Sequence, residues 1–190
     1  MGVGAWVATG LAVLTALYVV GVFNRLVALK HGVEKAWANI DVLLKQRHDE
    51  LPKLVEVCKQ VKQFEQQTLQ QVVAARGQVQ TARQSGDIAA LGRAESQLRS
   101  GLGHLFAVAE AYPELRANDS FMQLQARISQ LENGIADRRE LYNESVNLHN
   151  VRVESFPDRL LADHFGFGHK PLLEFDAGEK ADVNLKSLFA

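Results

Sequence analysis

The sequence has few prolines, few aromatic residues and a single cysteine. It contains only 4 prolines and 7% aromatic residues in 190 residues, and these low values favour long helices. Its single cysteine, Cys58, excludes an internal disulfide framework and a zinc site made of several thiolates. The formal net charge of -1 excludes a strongly basic nucleic-acid binder, which needs a clear positive excess.

Charged residues are missing altogether from the N-terminal end. All 21 basic and 22 acidic residues lie at or after Arg25, and residues 2–23 form an uninterrupted uncharged run. As a helix, about 20 apolar residues cross a hydrocarbon core of roughly 30 Å. We therefore interpret residues 1–24 as a transmembrane anchor in membrane lipid. Trp6 and Tyr18 are expected at its interfaces, and Arg25 marks its polar end.

A cleaved signal peptide is the alternative interpretation of this segment. Such a peptide has a positively charged start, an apolar stretch of about 7–15 residues and a small-residue exit. This run lacks the positive start and is longer, so we expect an uncleaved anchor. Lysine and arginine follow the run and none precede it. This asymmetry predicts an N-terminus outside and the remaining chain in the cytoplasm, as in a single-pass inner-membrane protein.

Beyond the anchor, apolar residues recur at steps of three and four, which is typical of amphipathic helices. We predict helices over residues 25–84, 87–111 and 120–156. Proline removes a helical hydrogen bond, so Pro52 is expected to kink the first helix. Asp87 suits the N-cap of the second helix.

Three long amphipathic helices bury their apolar stripes most simply as an antiparallel bundle of three or four helices with coiled-coil-like packing. The predicted fold class is therefore all-α, with a bundle over residues 25–157 and a tail over residues 158–190. A capping box at Ser120–Gln123 is expected to begin the third helix, and the chain after Phe175 is expected to be loosely ordered. The residues expected to make bundle or assembly contacts are Trp37, Ile40, Leu44, Leu51, Leu54, Leu98, Leu102, Leu124, Ile128, Tyr142 and Phe156.

Several ordered motifs resemble those of the LemA family. They are Phe23–Leu29, Val33–Val42, Leu43–Val55, Ala111–Asn118, Phe121–Gln125, Glu132–Ile135, Arg139–Glu144 and Phe156-Pro157. The resemblance covers roughly residues 20–170. It implies a bacterial single-pass membrane protein with a short outer N-terminus, a cytoplasmic helical bundle and no established enzymatic activity.

Polar side chains near the apolar stripes leave two interpretations open. A buried polar layer fixes register and partner choice in helical assemblies, and solvated helix faces explain the same pattern. The residues in question are Trp37, Asp41, Asn133, Arg138, Tyr142, Asn143, Asn147 and Asn150.

The histidines are weak candidates for metal ligands. His164 and His169 flank a glycine-containing loop, but a metal site needs three or four placed donors. We therefore expect them to be structural or solvated. His48 and His149 lie near stripe positions, where a buried neutral histidine is the usual finding. The sequence predicts no cofactor and no metal.

The favoured function is a non-enzymatic scaffold that self-assembles into homo-oligomers at the bacterial inner membrane. Small residues in the apolar run let neighbouring helices approach closely. The alternative is an adaptor that presents another membrane protein to a partner, such as a membrane protease in envelope stress. An enzyme, the third hypothesis, would require a cofactor or a metal. A nucleic-acid partner is not expected.

Overall fold

The computed structural model describes residues 2–62 and 64–175, which form six helices and no strand. This confirms the predicted all-α fold. The expected loose order after Phe175 falls on residues 176–190, which lie outside the described residues. In chain order the helices are α1 (Val3–Lys59), α2 (Gln66–Ser85), α3 (Ile88–Ala109), α4 (Pro113–Arg116), α5 (Asp119–Glu154) and α6 (Asp158–Phe165).

The chain divides into two compact units. Unit 1 consists of Met1–Asn39 and Glu140–Pro171, and unit 2 of Ile40–Arg139 and Leu172–Ala190. Helices α1 and α5 therefore contribute residues to both units. Each unit buries its own set of apolar side chains.

The first helix ends earlier than predicted. The sequence predicted one helix over residues 25–84, but α1 ends at Lys59 and Pro52 lies inside it without ending it. The amide of Val61 donates to the Cys58 carbonyl at 3.2 Å, which closes a tighter turn after α1. Phe64 is then buried with its ring 5.1 Å from that of Tyr112. Burying this aromatic side chain favours the turn over a continued helix.

Unit 2 is an antiparallel bundle. Arg83 and Arg76 of α2 contact Asp41 and His48 of α1, respectively, so α2 runs back along α1. A Cβ on Gly101 of α3 would lie 3.6 Å from the side chain of Val72, which places α3 against α2. Arg47 of α1 contacts Glu132 of α5. The bundle therefore consists of the end of α1, α2, α3 and the first part of α5.

Of the two predicted helix starts, the structure has the first where it was predicted and the second at a different residue. Asp87 caps α3 as predicted, because its carboxylate accepts a hydrogen bond from the Ala90 amide at 2.8 Å. The residue before it, Gly86, has φ 70°, a left-handed conformation that suits glycine. The predicted capping box at Ser120 is not the start of α5. Asn118 lies before that helix, and its side-chain oxygen accepts from the Phe121 amide at 3.1 Å.

Most residues predicted to make bundle contacts are buried. They are Ile40, Leu44, Leu51, Leu54, Leu98, Leu102, Ile128 and Tyr142. Trp37 and Leu124 are half-buried. Phe156 does not pack into the bundle. It is 83% exposed because α5 ends at Glu154, before this residue is reached.

Candidate membrane-anchoring site

The first part of α1 is apolar around its whole circumference, and no other part of residues 2–62 and 64–175 packs on residues 2–17. Every residue from 2 to 18 is exposed, including Trp6, Leu11 and Leu14 at 66–69% exposure. An 18-residue window of this helix has a mean hydropathy of 2.0, so its length and composition suit a membrane crossing. An isolated helix that is apolar on all sides is unfavourable in water and favourable in lipid.

The hydroxyl groups of this apolar segment are satisfied within the helix. Thr9 donates to the Ala5 carbonyl and Thr15 to the Leu11 carbonyl, both at 2.9 Å. A hydrocarbon environment offers no water to satisfy such groups, so internal hydrogen bonds lower the cost of placing threonine there. The two threonine hydroxyls of the segment therefore do not conflict with lipid.

The end of the apolar segment is held by residues far away in sequence. The Tyr18 hydroxyl donates to Asp158 Oδ1 at 3.1 Å, and the Arg152 guanidinium forms an ion pair with the same carboxylate. Asp158 is only 2% exposed. The sequence placed Tyr18 at a lipid interface but gave no indication of this link, because 140 residues separate the two partners.

Apolar side chains complete this end of unit 1. Val22 and Leu26 of α1 form one buried cluster with Val153 of α5 and Ala162 of α6. The Phe23 ring packs edge-on against the rings of Phe165 and Phe167, with centroids 4.9 and 5.9 Å away. We call the residues Tyr18, Val22, Phe23, Leu26, Arg152, Val153, Asp158, Ala162, Phe165 and Phe167 the anchor-end cluster.

A second polar group in unit 1 fixes the segment after α6. The Asn150 side chain pairs with the backbone of Lys170 in both directions, at 2.8 and 2.9 Å. The Tyr142 hydroxyl donates to the Pro171 carbonyl at 3.0 Å, and its ring packs edge-on against Trp37. Of the two interpretations left open for the polar residues of α5, burial therefore applies to Tyr142 and Asn150. These two side chains order the C-terminal segment within the same chain.

Among the remaining polar residues near the apolar stripes, one is paired with another side chain and most others are exposed to solvent. Asp41 binds Arg83 through two hydrogen bonds, one of them 2.9 Å long, and this pairing lowers the pKa of its carboxyl group. Asn143 is half-buried. The other three side chains, Asn133, Arg138 and Asn147, are exposed, as expected for solvated helix faces.

Unit 2 contains a buried ionic group that sequence reasoning missed. Arg47 is 1% exposed and donates to both oxygens of Glu95 at 2.6 and 2.7 Å, and to Glu132 at 2.6 Å. Glu95 is 2% exposed, and burial raises the pKa of its carboxyl group, an effect that the nearby Arg47 guanidinium opposes. We call these three residues the charged layer. The sequence does contain an indication of this charged layer, because Arg47 occupies a position in the apolar stripe formed by Ile40, Leu44, Leu51 and Leu54.

The histidines are held by protein contacts. His149 is fully buried, with Nδ1 3.4 Å from the Asn150 side-chain oxygen. His48 receives a hydrogen bond from Arg76, and His169 lies 2.7 Å from Glu154. The His164 ring packs edge-on against Phe165. Among residues 2–62 and 64–175, no group of three or more His, Cys, Asp or Glu side chains could hold a metal ion.

The burial of His149 makes stability depend on pH. Desolvation lowers the pKa of His149 below its ordinary 6.5. The unfolded chain therefore takes up this proton near pH 6.5, whereas the folded chain takes it up only at lower pH. We expect the free energy of unfolding to fall as the pH drops below about 6.5, with a limiting slope of about 1.4 kcal/mol per pH unit for one proton. Urea unfolding of the detergent-solubilised chain at several pH values measures this slope.

The His149→Gln variant is expected to reduce this acid slope. Because desolvation also lowers the pKa of His48, part of the slope is expected to remain. The exposed His104 provides the matched control, so His104→Gln is expected to keep the full slope. Equal slopes in the unmodified chain and in His149→Gln would contradict the assignment.

An exposed apolar N-terminal helix joined to a bundle of amphipathic helices defines a membrane-associated, all-α protein. The LemA family profile matches residues 36–186, most of the chain. The chain therefore belongs to the LemA family.

Curated relatives resemble part of the chain. It is 34% identical over 85 residues to magnetosome proteins MamQ 1 and MamQ 2 of Paramagnetospirillum magneticum, covering 43% of this chain and 31% of each relative. It is 31% identical over 74 residues to magnetosome protein MamQ of Magnetospirillum gryphiswaldense, covering 39% of this chain and 27% of that relative. The matches thus span about a third or less of the relatives' length.

Proposed function

We propose that this chain is a single-pass scaffold of the bacterial inner membrane that self-assembles through its anchor and has no enzymatic activity. The observation that carries the proposal is the exposed, uncharged first part of α1, which nothing in the described chain covers. The bundle supplies long amphipathic helices with a charged layer that fixes their register. We do not propose a magnetosome role, which the names of the relatives give, because the chain matches only about a third of the length of those relatives.

The proposed orientation places the N-terminus outside and the bundle in the cytoplasm. Arg25, Lys30 and Lys35 follow the apolar run, and basic residues are retained on the cytoplasmic side of a membrane. A reporter enzyme that is active only outside the cytoplasm tests this orientation when fused to the C-terminus. Activity of that fusion would contradict the proposal.

The proposed assembly surface is a stripe of small residues on the anchor. Gly4, Ala8, Ala12 and Ala16 are spaced by four, so they lie on one helix face, and all are exposed. A Cβ on Gly4 would meet no atom within 4 Å, so the face is open to a neighbouring helix. Small residues at this spacing let two helix backbones approach in lipid, where close packing drives association.

The Ala8→Ile/Ala12→Ile variant is expected to weaken self-assembly about tenfold, equal to about 1.4 kcal/mol. The added methyl groups hold neighbouring helices apart. Native mass spectrometry of the full chain in detergent measures the shift from oligomer to monomer. Leu14→Ile, which changes a side chain on the opposite face, is the control and is expected to leave the oligomer unchanged.

Two results would overturn the scaffold proposal. One is a purely monomeric unmodified chain in membranes and in mild detergent. The other is crosslinking in cells that yields one stoichiometric foreign partner in place of self-crosslinks, which would support the adaptor function.

A further inference from the structure

Helix α6 and the residues before it present large apolar side chains that the described part of the chain leaves uncovered. Phe156 is 83% exposed, Leu160 is 63% exposed and Phe165 is 48% exposed. Arg159 and Asp163 form a separate charged strip on this helix, with Nε and Oδ2 3.7 Å apart. At 100° per residue, Leu160 and His164 lie on the face opposite Ala162, which is fully buried. The helix thus has one face toward the protein and one exposed face that includes Leu160.

The position of α6 along α1 is fixed by the anchor-end cluster. The first residue of α6, Asp158, accepts the Tyr18 hydroxyl hydrogen bond, and the last, Phe165, packs on Phe23. Ala162, midway along α6, shares a buried cluster with Val22 and Leu26. The whole of α6 therefore lies beside residues 18–26 of α1.

Residues 18–26 are also where the apolar run of α1 ends. Counted from Val3, about 20 residues at about 1.5 Å each cross a hydrocarbon core of roughly 30 Å and reach the far boundary near Val22. The first charged residue, Arg25, follows within one turn. A helix beside residues 18–26 thus lies at the level of the lipid headgroups and the outermost acyl carbons.

We propose that α6 is an interfacial helix, with Phe156 and Leu160 inserted at the headgroup–acyl boundary of the membrane that α1 crosses. The exposed apolar part of α1, residues 3–18, ends where the first residue of α6 contacts Tyr18, so lipid around the one also reaches the other. The charged strip of Arg159 and Asp163 lies on a different face of α6 from Leu160, and interfacial helices carry polar and apolar residues on separate faces in this way. The inference rests on the proposed membrane anchor, and it adds a second contact between unit 1 and the bilayer.

A fluorescent probe at single cysteines tests the depth of α6. The environment-sensitive fluorophore NBD is attached to Leu160→Cys, Leu14→Cys and Val73→Cys variants of the full chain. Each is reconstituted in phosphatidylethanolamine–phosphatidylglycerol vesicles, with or without lipids that carry a doxyl quencher at acyl carbon 5 or, for the Leu14 probe near mid-bilayer, at acyl carbon 12. The native Cys58 is fully buried, and burial raises the pKa of its thiol to about 11, so it reacts slowly. The unmodified chain serves as the labelling blank.

The probes at the three positions test different parts of the proposal. Leu160 reports on α6, Leu14 reports on the anchor itself, and Val73 on α2 is an exposed apolar control at 48% exposure in unit 2. An interfacial side chain lies about 5–10 Å into the headgroup–acyl boundary, so the Leu160 probe is expected to lose about half its emission to the quencher. The Val73 probe is expected to lose almost none.

The outcomes separate the two proposals. A quenched Leu14 probe with a Leu160 probe as bright as the Val73 control overturns the interfacial helix and leaves the anchor standing. An unquenched Leu14 probe overturns the anchor and the interfacial helix together. A Leu160 probe that is blue-shifted in vesicles but insensitive to the quencher indicates burial against a second copy of the chain, which also overturns the lipid contact.

Discussion

Replacing Arg47 by methionine is expected to cost about 3–5 kcal/mol of unfolding free energy, the usual loss when one partner of a buried ion pair is removed. Arg47 is the only cation that contacts both carboxylates of the charged layer in the described structure. Without it, the Glu95 carboxylate is buried and unpaired. Urea unfolding followed by circular dichroism measures the loss, and hydrogen exchange shows whether α3 and α5 open first.

The paired variant separates the charge effect from packing. In Arg47→Met/Glu95→Met the buried carboxylate is removed as well, so we expect most of the lost stability to return. Replacing buried ionic groups by apolar side chains of similar volume is often neutral or stabilising. Arg138→Met, at an exposed position of α5, is the matched control and is expected to change stability by less than about 0.5 kcal/mol. A single Arg47→Met variant as stable as the unmodified chain would contradict the role given to the charged layer.

The Gly92→Ala variant is expected to release the segment around Leu173 from α3 at a cost of about 2–4 kcal/mol, set by the burial lost from two apolar side chains. A Cβ on Gly92 would overlap the backbone carbonyl oxygen of Glu174 and lie 3.1 Å from its carbonyl carbon. Leu173 is 1% exposed, and the Phe175 ring lies 4.0 Å under the Arg139 guanidinium. Backbone cannot yield as a flexible side chain does, so the segment has to move.

Two other glycines of α3 provide the control for this effect. A Cβ on Gly103 would meet nothing within 4 Å, and one on Gly101 would make an ordinary contact with Val72 at 3.6 Å. Since alanine is the better helix former, Gly103→Ala is expected to stabilise the chain by up to about 1 kcal/mol. Hydrogen exchange should show faster exchange at Leu173 and Phe175 only in Gly92→Ala. Unchanged protection in that variant would contradict the close approach.

The positions of the turns show where sequence reasoning reached its limit. Helix propensity favours a continuous helix past Lys59, and Pro52 was expected only to kink that helix. The structure instead ends α1 at Lys59 and buries Phe64 against Tyr112, about 50 residues later in the chain. The gain from that distant contact outweighs the local preference, and no local pattern reveals it.

In the candidate site, the sequence predicts only the features that depend on neighbouring residues. The uncharged run identifies the anchor because lipid solvation depends on composition and length. Tyr18 was found by the same argument, whereas its partner Asp158 was not, since nothing in the intervening sequence indicates the pairing. The charged layer was missed because charged residues on a helix are usually solvated. Only the arrival of Glu95 and Glu132 from other helices explains why Arg47 occupies a stripe position.

The sequence alone thus determined the helical class, the apolar stripes, the family resemblance and the location of the uncharged apolar run proposed as the anchor. Each follows from periodicity or composition within one stretch of chain. Tertiary structure decided which polar residues are buried together, where the chain turns, and that α6 lies beside the end of the apolar run. These features depend on residues that meet only after folding, such as Arg47 and Glu95, 48 positions apart, and Tyr18 and Asp158, 140 positions apart. Their energies come from desolvation that no single segment undergoes by itself.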